Sequence, residues 1–437
     1  MRPFSCNSKY GKIQRVEFIP ETALGYARAI ARPRRVGSSE EQAIANELAA
    51  RLEQFGYQVE RQLFRFSTAP TVFISLEVLA CLLLILAVFW LRGRTPWVPV
   101  PPAVLLVLLV LLTGPINRAV LNGSLAPASG KPSFWSALCL RMGTQYSSAN
   151  LVATLPDLPD NPTLPYLYLV AHYDSKSQRI PLAVRVVLFV IAIAGGLTFA
   201  GLTFLAVAFP ALTWAATVVG ILAVLAGLPL LMLDTGNASP GAIDNASSVG
   251  LVLHLAECLS LRSGWRDRLR VTILATSAEE MTLMGAVAFA REKERMLRRQ
   301  AEAGGLHILN FDGVGVDGKL YLAGNLPATR GAKVRHFEGS EESFDFAQGD
   351  RPQDLQDLIR EACGELGLPL ERFGLTGVMF DHMPFAQRGF DAVSLIAVGE
   401  ATRSVHTPGD SADKLHVRGF ELAGQVVLRV IEKLGIE

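Results

Sequence analysis

"LRVTILATSAEEMTLMGA", residues 269–286, is where the fold and the chemistry of this chain meet. The run "LRVTILA" has the β-branched, apolar make-up of a buried strand. It ends in two adjacent carboxylates, Glu279 and Glu280. Buried charge is costly unless it is paired or holds a metal, so this strand end needs cations. A helical pattern follows directly in "MGAVAFAREKERMLRRQAEA" (284–303).

The same strand–polar end–helix unit recurs outward from this stretch. "LPYLYLVAHYD" (164–174), "GLHILNFDGVG" (305–315), "KLYLAG" (319–324) and "FDAVSLIAVG" (390–399) read as strands. Helices are expected at 38–56, which opens with a Ser-x-x-Glu capping signature, and at 247–261, 353–366 and 417–435. The fold class is therefore α/β: a mixed, largely parallel central sheet with helices on both faces. In such sheets ligands sit beyond the carboxyl ends of the strands. His172, Asp174, Glu279, Glu280 and Asp312 each follow an apolar strand at that end. Residues 338–353 read as a solvated loop insertion without an assigned function.

Composition narrows the alternatives. The 437 residues carry 41 Lys+Arg and 40 Asp+Glu, a net charge of +1, with no basic stripe, so nucleic acid is not an expected partner. The five cysteines are scattered and include no Cys-x-x-Cys, so neither a disulfide framework nor a zinc knuckle is expected. Apolar residues concentrate in two blocks: 71–91 with 97–117, and a stretch from Val186 to Leu233 that holds no charged residue and has Pro210 near its middle. About 20 apolar residues span a bilayer, so each block reads as a transmembrane hairpin, giving four helices and a lipid bilayer as partner. Glu77, near the start of the first span, is expected to reach the interface.

The domain plan is an N-terminal extension (1–37), a discontinuous catalytic domain (38–70, 118–180 and 234–437) and two membrane hairpins (71–117 and 181–233). Two spans per block return the chain to the same side each time, so the three catalytic segments share one side. Positive charge flanks both ends of the spans, and no export signal opens the chain; the cytoplasmic face is the slightly favoured one.

Zinc takes imidazole nitrogen and carboxylate oxygen, and a catalytic site keeps a position open for water. Two ions about 3.5–4 Å apart can share a bridging carboxylate. Such a site needs one bridging acid, a His and an acid for each metal, and a separate base. His172, Asp244, Glu280, Asp312 and His406 are the candidates, leaving Glu279 as the base.

"AHYDS", "DNASS", "SAEE", "NFDGVG" and "VHTPGDSADKL" stand in the order and kind of the clan MH zinc exopeptidases, which this chain resembles outside its apolar blocks and extreme N-terminus. That clan includes aminopeptidases, glutamate carboxypeptidases and glutaminyl cyclases. The resemblance implies two zinc ions, one held by His172, Asp244 and Asp312 and the other by Asp244, Glu280 and His406. It makes Asp244 the bridge and Glu279 the general base, with Asp174 orienting His172. Asp381 and His382, in "FDHMPF", are implied near the substrate. Two departures stand out. Ser248 replaces a usual glycine, and His172 and Asp244 are 72 positions apart (244 − 172) where a short loop is usual.

Each residue has a plainer role to set beside this one. Asp244 could cap the helix that follows it, one of the two glutamates could complement a helix dipole, and Asp312–Gly313 could be a simple turn. His254 is expected in core packing, and His307, His336 and His416 in surface or structural roles. The leading reading is a membrane-anchored zinc exopeptidase, most simply an aminopeptidase acting on peptides. The rivals are a carboxypeptidase using Arg372, Lys319 or Arg403, a glutaminyl cyclase hinted at by "HYDSK", and a non-enzymatic membrane receptor or assembly protein. The sequence is silent on oligomeric state.

Overall fold

The computed structural model describes residues 18–92, 94–156, 161, 163–233, 235–261, 264–324, 354–374 and 378–435. The stretch 338–353 and His336 lie outside them.

Among the described residues the strands are Gln58–Ser67 (β1), Gln145–Thr154 (β2), Tyr166–His172 (β3), Ser177–Gln178 (β4), Thr235–Gly236 (β5), Arg270–Thr276 (β6), Leu306–Asp312 (β7), Gly318–Gly324 (β8), Leu370–Arg372 (β9) and Asp391–Gly399 (β10). Eight form one sheet in the order β1-β2-β6-β3-β7-β10-β8-β9. β3 runs parallel to both β6 and β7, and β10 runs parallel to β7. These four strands are central and buried from both sides, which is why their sequences are continuous apolar runs. β2 is antiparallel to β6, and β1 to β2. β1 thus points the same way as the parallel set, and Ser67 ends it at the edge where His172, Thr276 and Asp312 end theirs.

The helices are Pro20–Ile30 (α1), Ser39–Gln54 (α2), Ala69–Leu91 (α3), Val100–Gly123 (α4), Phe134–Arg141 (α5), Leu182–Leu205 (α6), Thr213–Leu230 (α7), Ser248–Leu261 (α8), Met284–Glu292 (α9), Glu294–Ala303 (α10), Leu355–Leu366 (α11), Met383–Ala386 (α12) and Val417–Leu434 (α13). Of the capping box expected at the start of α2 one half is formed: Ser38 Oγ accepts from Glu41 N at 3.2 Å. The Glu41 carboxylate accepts from Gly37 N, Ser148 and Ser277 instead of returning to Ser38 N. α1 crosses α8 closely because Gly250 has no Cβ, which would stand 2.5 Å from Ala23 O. The single helix expected over 284–303 is two, broken at Lys293. α9 is buried along most of its length whereas α10 buries only Leu297, so the bend turns the charged half off the sheet. β1, β2 and α5 carry no strong sequence signal; β1 alternates charged and apolar residues because one face meets solvent.

α3, α4, α6 and α7, the last extended by a short turn at Pro210–Leu212, are long and apolar enough to cross a membrane. They pack as one bundle around Ile85, Val88, Ala103, Leu106, Phe199, Ala200, Ala216 and Ala223. Small residues set the close approaches, with Gly195 against Ala223 and Gly227 against Leu82. Glu77 accepts from Asn117 Nδ2 at 3.1 Å, one helix to the next. Exposed Trp90, Trp97 and Trp214 ring the far end of the bundle, and exposed Phe134 with Trp135 on α5 lies at the near end. Tryptophan is enriched at membrane–water interfaces.

Candidate active site

The carboxyl edge of the parallel strands carries the cluster. β6 delivers the turn holding Glu279 and Glu280, and three of its residues, Ala278, Thr282 and Leu283, have left-handed backbone (φ 58°, 68° and 61°). Non-glycine residues in that region are strained and gather at functional sites. The turn is held from several directions. Asp174 accepts from Glu279 N at 3.2 Å and Glu280 N at 3.3 Å. Asn150 accepts from Ser277 N at 3.1 Å, and Glu41 accepts from Ser277 Oγ at 2.6 Å. Gly285 passes so close beneath that an added Cβ would stand 2.1 Å from Ser277 O. Gly285→Ala is therefore expected to cost about 1–3 kcal/mol by overpacking, read as a lower Tm together with weaker metal binding.

The loop before α8 supplies Asp244, which is joined to Asn245 by a cis peptide bond. Asp410 fixes this loop, accepting from Ile243 N at 2.6 Å and Asp244 N at 3.3 Å. Asn245 reaches across to β7, donating to Phe311 O at 3.0 Å and accepting from Gly313 N at 3.1 Å, and so brackets Asp312. Beneath both loops Arg34, fully buried, donates to Tyr173 O, Pro240 O and Gly241 O.

All six residues expected at the centre come together. Asp244 turns one oxygen to each imidazole: Oδ1 lies 3.1 Å from His172 Nε2, and Oδ2 lies 3.0 Å from His406 Nε2. Glu280 Oε2 is 3.2 Å from His406 Nε2, and both Asp312 Oδ2 and Glu279 Oε2 are 3.9 Å from His172 Nε2. Asp174 Oδ1 lies 3.4 Å from the other nitrogen of His172. The donor atoms form two groups, His172–Glu279–Asp312 and Asp244–Glu280–His406. Both ring nitrogens of His172 and of His406, Asp244 Oδ1 and Glu280 Oε1 are buried without a hydrogen bond. Ligands about 2.0–2.2 Å from a tetrahedral zinc lie about 3.3–3.6 Å from one another. The spacing and the orphaned donors fit metal ions.

The electrostatics point the same way. Burial and then the neighbouring Glu280, Asp381 and Asp312 charges, against an opposing pull from His172, push Glu279 well above the usual carboxylate range. Burial and the Asp244 charge do the same to Asp312. Burial disfavours charge on His406, but Glu280 and Asp244 outweigh it and raise the imidazole to about 9. A cluster that draws in protons lacks cations. Metal needs neutral imidazole, so zinc binding at pH 7 is expected to expel the His406 proton. Calorimetry in buffers of different ionisation enthalpy should register that release, with affinity climbing as pH rises towards 9.

Asp381 lies at the same edge, accepts from Thr276 Oγ1 and keeps Oδ1 buried without a partner. His382 turns away towards Ser394 Oγ at 2.6 Å, and burial lowers it to about 4, keeping it neutral. The cations considered for a terminal carboxylate do not converge on the cluster. Lys319 pairs with Glu371 at 2.6 Å, and Arg372 and Arg403 are exposed. His254 accepts from Ile19 N at 2.9 Å, His307 pairs with Asp391 at 2.7 Å and His416 accepts from Arg418 N at 3.2 Å.

Sequence reasoning passed over Arg34, Glu41, Asn150 and Lys176 as parts of the site. Lys176 Nζ lies 2.7 Å from Glu280 Oε2 and is partly buried. Asp410 and Asn245 stand inside quoted motifs, and their place four residues after His406 and next to Asp244 was the available signal.

Residues 232–431 match the family described as Peptidase family M28. The chain carries a Peptidase family M28 domain. It is a metallopeptidase. The matched M28 stretch includes Asp244, Glu279, Glu280, Asp312 and His406, while His172 lies on the other side of α6 and α7. Among solved structures the chain is similar to an aminopeptidase from Aneurinibacillus sp. strain AM-1, at 16% identity and TM-score 0.51, covering 95% of this chain and 94% of that one. It is similar to a Zn-dependent exopeptidase from Parabacteroides distasonis, at 14% identity and TM-score 0.51, covering 96% and 99%. It is also similar to the Bacteroides thetaiotaomicron glutaminyl cyclase bound to N-acetylhistamine, at 15% identity and TM-score 0.52, covering 96% and 99%. At these identities the likeness speaks to the fold. No curated protein sequence matches the chain.

Proposed function

We propose that this M28 metallopeptidase is a membrane-anchored aminopeptidase that binds two zinc ions and removes N-terminal residues from peptides. The observation that carries the reading is Asp244, whose two oxygens divide between His172 and His406 at 3.1 and 3.0 Å. His172, Asp244 and Asp312 would hold one ion, and Asp244, Glu280 and His406 the other. Bound there, zinc supplies Lewis acidity for the attacking water and the scissile carbonyl.

The remaining work falls to the chain's own groups. Glu279 takes the proton of the attacking water as the new C–O bond forms, then gives it to the departing amine as the C–N bond breaks. Asp174 holds the amides of Glu279 and Glu280 and keeps His172 aligned. Asp381 faces the substrate's free amino group with its unpartnered oxygen. Beside it a cavity of about 210 Å³, lined by Phe373, Val378, Phe380, His382 and Met383, receives the substrate's side chain. The glutaminyl cyclase reading keeps one point in its favour, Lys176 within the "HYDSK" stretch.

Metal analysis of the purified full chain, with a panel of aminoacyl-p-nitroanilides and N-acetylated counterparts, tests the proposal. Two zinc ions per chain and hydrolysis of the free-amine substrates alone are expected. One zinc with cyclisation of N-terminal glutamine would favour the cyclase, and metal at background would defeat both. The four apolar helices cross the bilayer and set the catalytic segments on its cytoplasmic face. Single cysteines at Thr95 and Glu302, in a chain with its native cysteines replaced, are expected to label from opposite sides, Glu302 from the cytoplasm.

A further inference from the structure

We infer that the natural substrate is the amino-terminal segment of another polypeptide embedded in the same membrane. The inference rests on the aminopeptidase reading above and names the substrate class of that site. Its ground is the direction in which the metal cluster faces. The parallel strands end at one edge of the sheet, and the cluster lies there. Because β1 is antiparallel to β2 and β2 to β6, β1 ends at that edge too. α3 starts at Ala69, two residues past the end of β1, and β2 begins at the same edge with Gln145, shortly after α4 and α5. The second hairpin leaves and returns there as well. α6 starts ten residues after His172, and the returning β5 pairs with β4. β4 is tied to the cluster itself, since Gln178 N donates to His406 O at 2.8 Å. Both hairpins therefore rise from the site-bearing edge, and the cluster faces the bilayer.

Two independent paths give the height of the gap. Along the sheet, Ala171 is level with Ala275, Ala275 with Leu151, and Leu151 with Arg61. His172, one residue further on, thus lies about five residues short of Ser67, or about 17 Å at ~3.3 Å per residue. Along the second root, Gln178 to Leu182 spans at most about 14 Å of extended chain, and the helix adds about 6 Å before the charge-free run begins at Val186. The first path gives about 17 Å and the second sets a ceiling of about 20 Å, so the cluster stands within about 20 Å of the membrane surface. α5 marks the same level, with Phe134 and Trp135 exposed beside the roots of the first hairpin.

A gap of no more than about 20 Å admits an extended chain but excludes a folded domain, whose radius of gyration alone is about 13 Å at 100 residues. A peptide anchored in the same bilayer reaches the cluster once its free end extends about six residues from the surface. Tethering also raises its effective concentration at the site.

The test uses the full chain reconstituted in vesicles. The substrates are single-span peptides sharing one N-terminal sequence, with spacers of two, six and ten residues, and the same ten-residue segment without a span. The readout is release of the first amino acid, with an aminoacyl-p-nitroanilide as control. Cleavage of the ten-residue tethered peptide is expected to exceed both the two-residue peptide and the free segment by about tenfold or more. A rate independent of spacer length, or equal rates for free and tethered peptides with the anilide hydrolysed, would overturn the inference and leave the aminopeptidase reading intact. Failure on the anilide as well would overturn both.

Discussion

Replacing Glu279 with glutamine is expected to lower peptide hydrolysis by about 10²–10⁴-fold, the range supplied by a positioned general base, with bound zinc almost unchanged. The two neighbouring glutamates differ in what they touch. Glu280 Oε2 is 3.2 Å from His406 Nε2 and 2.7 Å from Lys176 Nζ, whereas Glu279 Oε2 stands 3.9 Å from His172 Nε2, as Asp312 Oδ2 does. The zinc content of Glu279→Gln is therefore the measurement that separates base from ligand. Without metal, burial and the adjoining carboxylates hold Glu279 well above the usual carboxylate range. The amide of glutamine keeps the shape and removes the basicity. Glu280→Gln should instead cut metal content. Turnover and zinc stoichiometry measured on both variants check the assignment, and a Glu279→Gln enzyme that keeps most of its turnover contradicts it.

Asp244→Ala is expected to empty both metal positions, where His406→Ala empties one. Among the described residues Asp244 offers an oxygen to each imidazole of the cluster, so removing it would take a ligand from both metal positions at once. A ligand that binds only the folded state stabilises it, by about 4 kcal/mol at 1,000 times its Kd. The parent chain should accordingly gain Tm when zinc is added, and Asp244→Ala should gain almost nothing. Zinc analysis and melting curves with and without added metal read out both effects. An Asp244→Ala protein retaining one tightly held ion would show that the bridge is not shared.

Much of this molecule was legible in one dimension. "LRVTILA" and "LPYLYLVAH" announce buried parallel strands because burial on both faces demands unbroken apolar runs. The four long apolar helices were legible because unbroken apolar runs of about 20 residues stand out in one dimension. β1 and β2 were harder to see: they carry the antiparallel side of the sheet and alternate polar with apolar residues, a pattern that their short exposed faces blur. The bend at Lys293 was invisible because good helix formers run through it, and only packing against the sheet decides which half stays buried.

By itself, then, the sequence determined which residue types stand at the strand ends: two glutamates after one strand, a histidine and aspartate after a second, an aspartate after a third. It could not set them against one another, since two long apolar helices separate His172 from Asp244 and His406 lies 162 positions beyond Asp244 (406 − 244). Tertiary structure decided that Asp244 stands between the two histidines, because Asp410 and Arg34 pin its loop and Asn245 straps it to Asp312. It also decided which way the cluster faces. Helix length could say that four helices are long and apolar enough to cross a bilayer, but only strand direction, fixed by long-range hydrogen bonding between β1, β2 and β6, could bring both helix pairs out at the edge that carries the cluster.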